Sequence, residues 1–367
     1  MIRVGIVGLG KMGLSHHAIF NAHPDVEVAG ICDSSRYVLS VLGKYTGVDT
    51  YSDYQAMLDQ VALDAVVIAT PSSAHTGMVE AALERGLHVF CEKPLTLDPD
   101  ESEALAASAG RHSLATQVGY HNRFVATFSE VKSLLESGAL GELHQIVGEA
   151  YGPVILKAQG RTWRSQRTEG GGCLYDYAAH VINLINWYCG APEAVGGTAL
   201  PSLFSRDTDD AALSTLYFPD GLTGQLTVNW SDESYRKMTT RITLRGSNGR
   251  IYADRQELQV YLREASGAPD GYRQGWNVRY TTELTPPVWF YLRGEEYSEQ
   301  VDAFVKRVEA GEVAGTNDFA SAALTDRTIA MMAEDAERGP TAASEIAHDP
   351  GLGKKRRRGF FARRRAA

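Results

Sequence analysis

The chain has 367 residues, of which 44% are hydrophobic and 22% are charged, a length and composition that allow two globular domains. It has no apolar run near the roughly 18 residues of a membrane-spanning helix and no signal-peptide pattern at its amino terminus, so we expect a cytoplasmic protein. The formal net charge is −9, and because a basic stretch at residues 354–365 contributes +8, the rest carries −17, which disfavours nucleic-acid binding by the folded part.

The first motif is a glycine-rich turn between a strand and a helix. Residues 2–7 are apolar and strand-like, Gly8-Leu9-Gly10-Lys11-Met12-Gly13 follows at once, and a helix-like segment runs from 14 to about 22. Glycines here allow a tight turn and close approach of the backbone to a pyrophosphate, which the helix amino terminus also favours. We therefore predict a dinucleotide site that uses Gly8, Gly10, Lys11, Met12 and Gly13.

A second strand, residues 26–32, ends in Asp33 at the spacing that the dinucleotide fingerprint requires. A carboxylate at this place accepts hydrogen bonds from the adenosine ribose and repels a 2′-phosphate, so the predicted cofactor is NAD. Arg36 lies close enough to keep NADP as the alternative. Asp33 and Arg36 are both predicted cofactor contacts.

Strands and helices continue to alternate up to residue 120. The runs at 65–69, 88–91 and 115–118 are predicted strands, and the segments at 75–85 and from Asp98-Pro99 onward are predicted helices. This alternation is typical of an α/β fold with a doubly wound parallel sheet. We predict that residues 1–120 form an NAD(P)-binding Rossmann domain.

The strand at 88–91 is followed directly by Glu92-Lys93-Pro94. Open α/β sheets bind ligands in the crevice at the carboxyl ends of their strands, so Lys93 is predicted at the edge of a ligand site. A solvated lysine that caps the strand would give the same pattern.

The pattern changes after residue 120. Alternating apolar and polar residues mark strands near 143–149, 222–230, 238–245 and 258–262, and helices are predicted near 124–137, 295–309 and 319–338. We predict that residues 121–345 form an α+β domain with a large open, mainly antiparallel sheet. The polar face of this sheet is either solvated or pressed against a second subunit.

A helix predicted at 173–188 carries Asp176, His180 and Asn183 at i, i+4 and i+7, in one stripe that can face a cleft. A histidine satisfied by a carboxylate on a solvated face is the plainer interpretation. Asp176 and His180 supply only two metal ligands, and the four cysteines show no CxxC pairing, so no metal site is predicted.

Together these motifs resemble the Gfo/Idh/MocA family of oxidoreductases, which includes glucose–fructose oxidoreductase and inositol dehydrogenase. The likeness spans residues 1 to about 338. It rests on the GxGxxG turn with His16 after it, Thr70-Pro71 with His75, Glu92-Lys93-Pro94, and Gly170-Gly171-Gly172 followed by Asp176 and His180. The resemblance implies a sugar-type substrate in a cleft between the domains and a homodimer or homotetramer formed through the carboxy-terminal sheet.

The resemblance also implies residue roles. Lys93 would contact the reacting hydroxyl and orient the nicotinamide, and Asp176 and His180 would surround the substrate, with His180 as the proton acceptor. The other implied cofactor contacts are Thr70, Pro71, His75 and Glu92, and the other implied substrate contacts are Tyr120, Asn122, Arg123 and Asn183.

Elementary chemistry agrees with these roles. Oxidation of a secondary alcohol needs a base that titrates near neutrality and a cation that stabilises the developing alkoxide, and His180 and Lys93 fit. We expect Asp176, one turn before His180, to favour the imidazolium form and to fix the ring tautomer.

A basic loop, residues 157–169, precedes this helix and contains Arg161, Trp163 and Arg164. Clustered guanidinium groups suit a phosphate or carboxylate, so we hypothesise a nucleotide sugar or uronic acid bound by these three residues. The alternative is a solvated basic loop in an acidic protein. Residues 346–367 are predicted to be a disordered basic tail, either a solvated appendage or a segment that touches anionic lipid or nucleic acid.

Two rival functions keep the same fold. An NAD-binding regulator without turnover would lack the lysine or the histidine, and both Lys93 and His180 are present. A redox-assisted glycosidase or lyase would keep the cofactor bound and use transient oxidation to drive elimination.

Overall fold

A computed structural model describes residues 1–158, 160 and 162–339, which form two sheets with helices around them. The elements of the first sheet and its helices are β1 (Ile2–Val7), α1 (Lys11–Ala22), β2 (Val26–Cys32), α2 (Arg36–Thr46), β3 (Thr50–Tyr51), α3 (Tyr54–Gln60), β4 (Ala65–Ile68), α4 (His75–Glu84), β5 (His88–Cys91), α5 (Pro99–Arg111) and β6 (Thr116–Val118). The strand order in this part of the chain is β3-β2-β1-β4-β5-β6, and every neighbouring pair is parallel.

The first sheet is doubly wound, as predicted. Its central strands are apolar on both faces: Val4, Ile6 and Val67 on one face and Val66 and Ile68 on the other are completely buried, which is what helices on both faces require. Because β1 lies between β2 and β4, the winding reverses there and opens a crevice at the carboxyl ends of these strands. The sheet therefore positions whatever follows β1, β4 and β5 around one ligand-binding edge.

The second sheet is open and mainly antiparallel, which confirms the prediction. Its elements are α6 (Ala126–Glu136), β7 (Leu143–Tyr151), α7 (Ala179–Cys189), β8 (Ala194–Ala199), β9 (Ala211–Tyr217), β10 (Thr223–Asn229), β11 (Arg241–Gly246), β12 (Gly249–Asp254), β13 (Glu257–Leu262), β14 (Gly275–Tyr280), α8 (Thr281–Leu284), α9 (Glu295–Ala310) and α10 (Phe319–Arg338). The order is β14-β13-β12-β11-β7-β10-β9-β8, and β7 and β10 run parallel.

Helix α9 crosses from the second part of the chain to the first sheet. Phe304 packs edge-on against Phe20 of α1 and Phe90 of β5, with ring centroids 6.4 and 5.8 Å apart. The Gln117 side chain of β6 donates to the Gln300 carbonyl at 2.6 Å. The last strand of the first sheet ends at Val118 and the first strand of the second begins at Leu143, but the core of the first sheet includes residues of α9, and the predicted division at residue 120 stays a prediction.

No helix in the described ranges is long and apolar enough to cross a membrane. Among the same residues, no group of three His, Cys, Asp or Glu side chains could hold a metal ion. Arg161 and the basic tail lie outside the described residues, and their predicted roles stay predictions, as does the predicted compartment.

Candidate active site

The glycine-rich turn between β1 and α1 leaves room for a ligand. Gly8 has φ +84°, in the left-handed region that favours glycine, and a Cβ on Gly13 would lie 1.7 Å from the Gly8 carbonyl oxygen. A Cβ on Gly10 would meet no described heavy atom within 4 Å, so the turn opens to free space at the amino terminus of α1. Lys11 and Met12 form the first turn of that helix. This arrangement fits a dinucleotide pyrophosphate.

Asp33 is held beside the glycine turn. Its Oδ2 accepts a hydrogen bond from the Leu9 backbone N–H at 2.6 Å, and its Oδ1 accepts from the Ser35 backbone N–H at 2.7 Å. The residue is half-buried, and a carboxylate has further acceptor positions for ribose hydroxyls. Arg36, which would serve a 2′-phosphate, is exposed at the start of α2.

The His75 side chain contacts backbone carbonyls at the site. The ring is completely buried; its Nδ1 lies 2.9 Å from the Pro94 carbonyl and 3.2 Å from that of Leu95, and its Nε2 lies 3.1 Å from the Thr70 carbonyl. Both ring nitrogens face protein carbonyls, and the predicted contact of His75 with the cofactor stays a prediction. His75 instead joins the segment after β4, which contains Thr70 and Pro71, to the segment after β5.

Glu92 is paired with a buried histidine. Its Oε1 lies 2.6 Å from Nε2 of His16, a completely buried residue of α1. Burial raises the pKa of Glu92, but the hydrogen bond with His16 and the positive charge of Lys93 outweigh burial and hold that pKa below its ordinary value. Glu92 is therefore a carboxylate at the carboxyl end of β5.

Lys93 and Asp176 meet across the gap between the two sheets. The Lys93 ammonium donates to Oδ1 of Asp176 at 2.6 Å and to the Asp176 carbonyl at 3.0 Å, and Arg164 Nε donates to Oδ2 at 3.3 Å. Burial raises the pKa of Asp176, but the two cations outweigh burial and hold it below its ordinary value. An anionic Asp176 thus fixes the ammonium at the carboxyl edge of the first sheet.

His180 stands at the same place with a free ring. The side chain is only 6% exposed, and neither ring nitrogen has a hydrogen-bond partner within the described part of the chain. Burial lowers its pKa well below the ordinary 6.5, and the positive charges of Lys93 and Arg255 lower it further. His180 is therefore a neutral imidazole at neutral pH.

The expected support of His180 by Asp176 is corrected. The prediction assumed one continuous α-helix, but residues Leu174–Ala178 form a π-helical turn and α7 begins only at Ala179. Such a turn inserts one residue relative to the α-helical register, so the predicted i, i+4 pair no longer holds. Asp176 pairs with two cations instead, and the charges around His180 lower its pKa rather than raise it.

Four predicted substrate contacts are buried in the core. Tyr120 is completely buried, Asn122 donates to the Thr240 hydroxyl, and Arg123 Nε donates to Asn183 Oδ1 at 2.8 Å. The polar groups of these residues and of Asn183 are occupied inside the protein or have no exposed surface, and the predicted contacts of Tyr120, Asn122, Arg123 and Asn183 with substrate stay predictions. Their described contacts are with other buried residues of the protein.

The basic loop borders a large open cavity. The cavity has a volume of about 630 Å³ and is lined by Arg164 and Arg167 on one side and by Phe204 and Arg206 on the other. The Arg164 guanidinium stacks over the ring of Trp163 at 4.5 Å and also reaches Asp176, so the cavity adjoins the Lys93 centre. Arg164 lines this cavity and Trp163 packs against Arg164, and their predicted contacts with substrate stay predictions.

Sequence reasoning assigned no role to His121, Arg255 or Tyr297. The His121 ring stacks on Tyr297 with centroids 4.9 Å apart and meets the His180 ring edge-on at 4.8 Å. Arg255 donates to Glu296 and to Asn122. His121 could have been noticed because it follows β6 at the ligand-binding edge, but nothing local marks Arg255 or Tyr297.

The comparisons with known proteins agree with this geometry. A family model described as "Oxidoreductase family, NAD-binding Rossmann fold" matches residues 2–120, and a second, described as "GFO/IDH/MocA C-terminal domain", matches residues 128–252. The chain belongs to the Gfo/Idh/MocA family. Its first domain is accordingly an NAD-binding Rossmann domain, and the predicted cofactor is confirmed.

Relatives within the Gfo/Idh/MocA family include enzymes named for cyclitols and for nucleotide sugars. Myo-inositol 2-dehydrogenase of Thermotoga maritima is 25% identical over 327 residues, which cover 85% of this chain and 89% of the relative. The dTDP-3,4-didehydro-2,6-dideoxy-alpha-D-glucose 3-reductase of Streptomyces antibioticus is 29% identical over 255 residues, 69% of this chain and 76% of the relative.

A solved structure of levoglucosan dehydrogenase in complex with NADH and levoglucosan superposes with a TM-score of 0.80. It covers 92% of this chain and 97% of that protein at 23% sequence identity. The likeness shows a shared fold that extends over both sheets.

Proposed function

We propose that this protein is an NAD-dependent oxidoreductase that transfers hydride between a sugar-type secondary alcohol and nicotinamide. One observation carries the proposal: Lys93 binds Asp176, 83 positions away along the chain, at the carboxyl edge of the Rossmann sheet, and its charge is near enough to His180 to lower the pKa of that ring. A base and a cation at that edge are what alcohol oxidation requires.

The residues divide the chemistry between them. Lys93, held by Asp176, donates a hydrogen bond to the reacting oxygen and stabilises its developing negative charge. His180, neutral and without a hydrogen-bond partner in the described chain, accepts the hydroxyl proton. When bound, NAD supplies the hydride acceptor at C4 of its nicotinamide ring. Asp33 favours NAD over NADP because its carboxylate repels a 2′-phosphate.

We infer that the substrate carries an anionic group. The cavity beside Asp176 is lined by the cationic Arg164, Arg167 and Arg206 and by one carboxylate, Asp207. Guanidinium groups recognise phosphates and carboxylates through paired hydrogen bonds. A nucleotide sugar or a uronic acid with its carbinol at Lys93 would place its charged part in this cavity.

A homo-oligomer built on the second sheet is part of the proposal. The outer face of this sheet exposes Trp276 and Tyr280 of β14, 54% and 50% exposed, and Tyr217 of β9, 47% exposed. Aromatic side chains are enriched where surfaces associate. Light scattering behind a sizing column should give a dimer or tetramer, and a monomer at micromolar concentration would contradict this.

The function is tested by a substrate panel that follows NADH absorbance and sugar release together. The panel contains myo-inositol, levoglucosan, D-glucuronate and UDP-N-acetylglucosaminuronate. We expect NADH formation with an anionic member, and loss of turnover by a factor of about 10² or more in Lys93→Ala and His180→Ala with little change in NAD affinity. Loss of NAD affinity in these variants would contradict the assigned roles.

The same panel separates the rival functions. Sugar release without net NADH would indicate redox-assisted elimination, and NAD binding without either signal would indicate a regulator. Turnover of myo-inositol far above that of both anionic sugars would contradict the inference of an anionic substrate. It would still support a dehydrogenase.

A further inference from the structure

His121 is the one described histidine whose ring lies against that of His180. The centroids are 4.8 Å apart and the ring planes meet at 61°, so the two imidazoles are in van der Waals contact. His121 follows β6, whereas His180 belongs to α7, and the two elements approach only in the folded protein. The contact is a tertiary feature of the candidate site.

His180 has little contact with solvent of its own. It is only 6% exposed, its Nδ1 is completely buried, and the edge of the ring faces the completely buried Tyr120 at 5.9 Å. A base that accepts a proton in each turnover must also release it before the next. A neighbouring group would give the proton a route out of the largely buried ring of His180.

His121 has the position and the chemistry of such a neighbour. Its residue is partly exposed, and its other face is stacked on Tyr297 at 4.9 Å and 18°, which holds the ring in place beside His180. No hydrogen bond in the described residues occupies either nitrogen of His121. The ring can therefore accept a proton on one nitrogen and release one from the other.

The surrounding charges favour onward movement of the proton. Burial lowers the pKa of His121 well below its ordinary value, and His180, Arg255, Lys93 and Arg293 lower it further. Three separate segments supply the cations: Lys93 follows β5, Arg255 precedes β13 and Arg293 precedes α9. Neither imidazole retains a proton strongly, so a proton that enters the pair leaves to water.

We propose that His121 is a positioning residue that relays the proton from His180 to solvent. The inference rests on the proposed function. The hydroxyl proton of the alcohol passes to His180. Bound NAD would accept the hydride from the carbon that carries this hydroxyl. The His180 imidazolium then transfers a proton to the neutral His121, directly or over one water, and His121 releases a proton to bulk water. The balance is alcohol and NAD⁺ to ketone, NADH and one proton.

The test measures proton exchange directly and needs no substrate. The full chain, labelled with ¹⁵N in its histidine rings and loaded with NADH, is studied by NMR for exchange of the His180 ring hydrogen with water. The His180 signal is assigned by its loss in His180→Gln. His121→Phe keeps an aromatic ring on Tyr297 and removes both nitrogens, and His121→Gln is a second variant in case the first does not fold. His144→Phe, an exposed histidine of β7, is the control.

We expect His180 exchange to slow by about tenfold or more in both His121 variants, to recover with added imidazole, and to be unchanged in His144→Phe. Unchanged exchange in a folded His121 variant would overturn the relay. With a panel member that is turned over, kcat should fall by a similar factor at constant KM and recover with imidazole. If no panel member yields NADH while exchange at His180 still depends on His121, the proposed function fails and the proton path between the two histidines stands.

Discussion

Replacing Asp176 with asparagine removes the charge that holds the Lys93 ammonium. At the 2.6 Å separation of Nζ and Oδ1, an effective dielectric constant near 20 gives a gross attraction of about 6 kcal/mol. Desolvation of both groups offsets part of this, since their side chains are only 13% and 14% exposed. Truncating one member of a buried pair costs about 3 to 5 kcal/mol, and because asparagine can still accept one hydrogen bond we expect a loss near 3 kcal/mol.

Urea unfolding followed by tryptophan fluorescence measures this loss. The control is Asp270→Asn, an exposed carboxylate, for which we expect a change within about 0.5 kcal/mol. We also expect turnover to fall by a factor of about 10² in Asp176→Asn, because the released ammonium no longer stays at the reacting oxygen. An Asp176→Asn protein as stable as the control would show that the ion pair contributes nothing and would refute the assigned role of Asp176.

In Gly13→Ala, the new Cβ would lie 1.7 Å from the Gly8 carbonyl oxygen, so NADH binding measured by fluorescence should be lost, while Gly110→Ala, at a position with open space, should bind normally. Burial raises the pKa of Asp326 to about 7, so its neutral form stabilises the fold at acidic pH and this stabilisation is lost as the pH rises through 7. Asp326→Asn should remove up to about 4 kcal/mol of that pH dependence from urea unfolding curves, and an unchanged dependence would exclude Asp326 as its source. The lowered pKa of His180 should place the acid limb of kcat/KM below pH 6.5, and a limb at or above 6.5 would contradict a neutral, desolvated base.

Much of the first sheet can be predicted from the sequence because the motifs that mark it are adjacent to its strands. The glycine turn, Asp33 and the segment after β5 each sit beside the strand that positions them, so a linear pattern is enough to place Lys93 at the ligand-binding edge. The strands of the second sheet can also be predicted, because apolar and polar residues alternate within each strand.

The partner of Asp176 could not be read in this way. The i, i+4 rule that paired it with His180 holds for an α-helix, and no residue type in Leu174–Ala178 announces a π-helical turn. The true partner, Lys93, is 83 positions away. Only the folded chain brings the two together.

The partners of buried polar residues could not be predicted from the sequence for a second physical reason. The family resemblance implies substrate contacts for Arg123 and Asn183. In the structure they hydrogen-bond to each other, and such pairing is what allows an arginine to be buried. Residue type alone does not say whether a polar group faces a ligand or another side chain.

The position of α9 has a consequence for how the protein is made. Residues Val301, Phe304 and Val305 complete the apolar face formed by Val4, Phe20 and their neighbours, so a ribosome must synthesise nearly the whole chain before that face can be covered. Until then the nascent Rossmann segment exposes a hydrophobic surface that chaperones or other chains can bind. A gene fragment that ends at residue 120 should therefore yield aggregates, and the first sheet should fold only when α9 is made on the same chain.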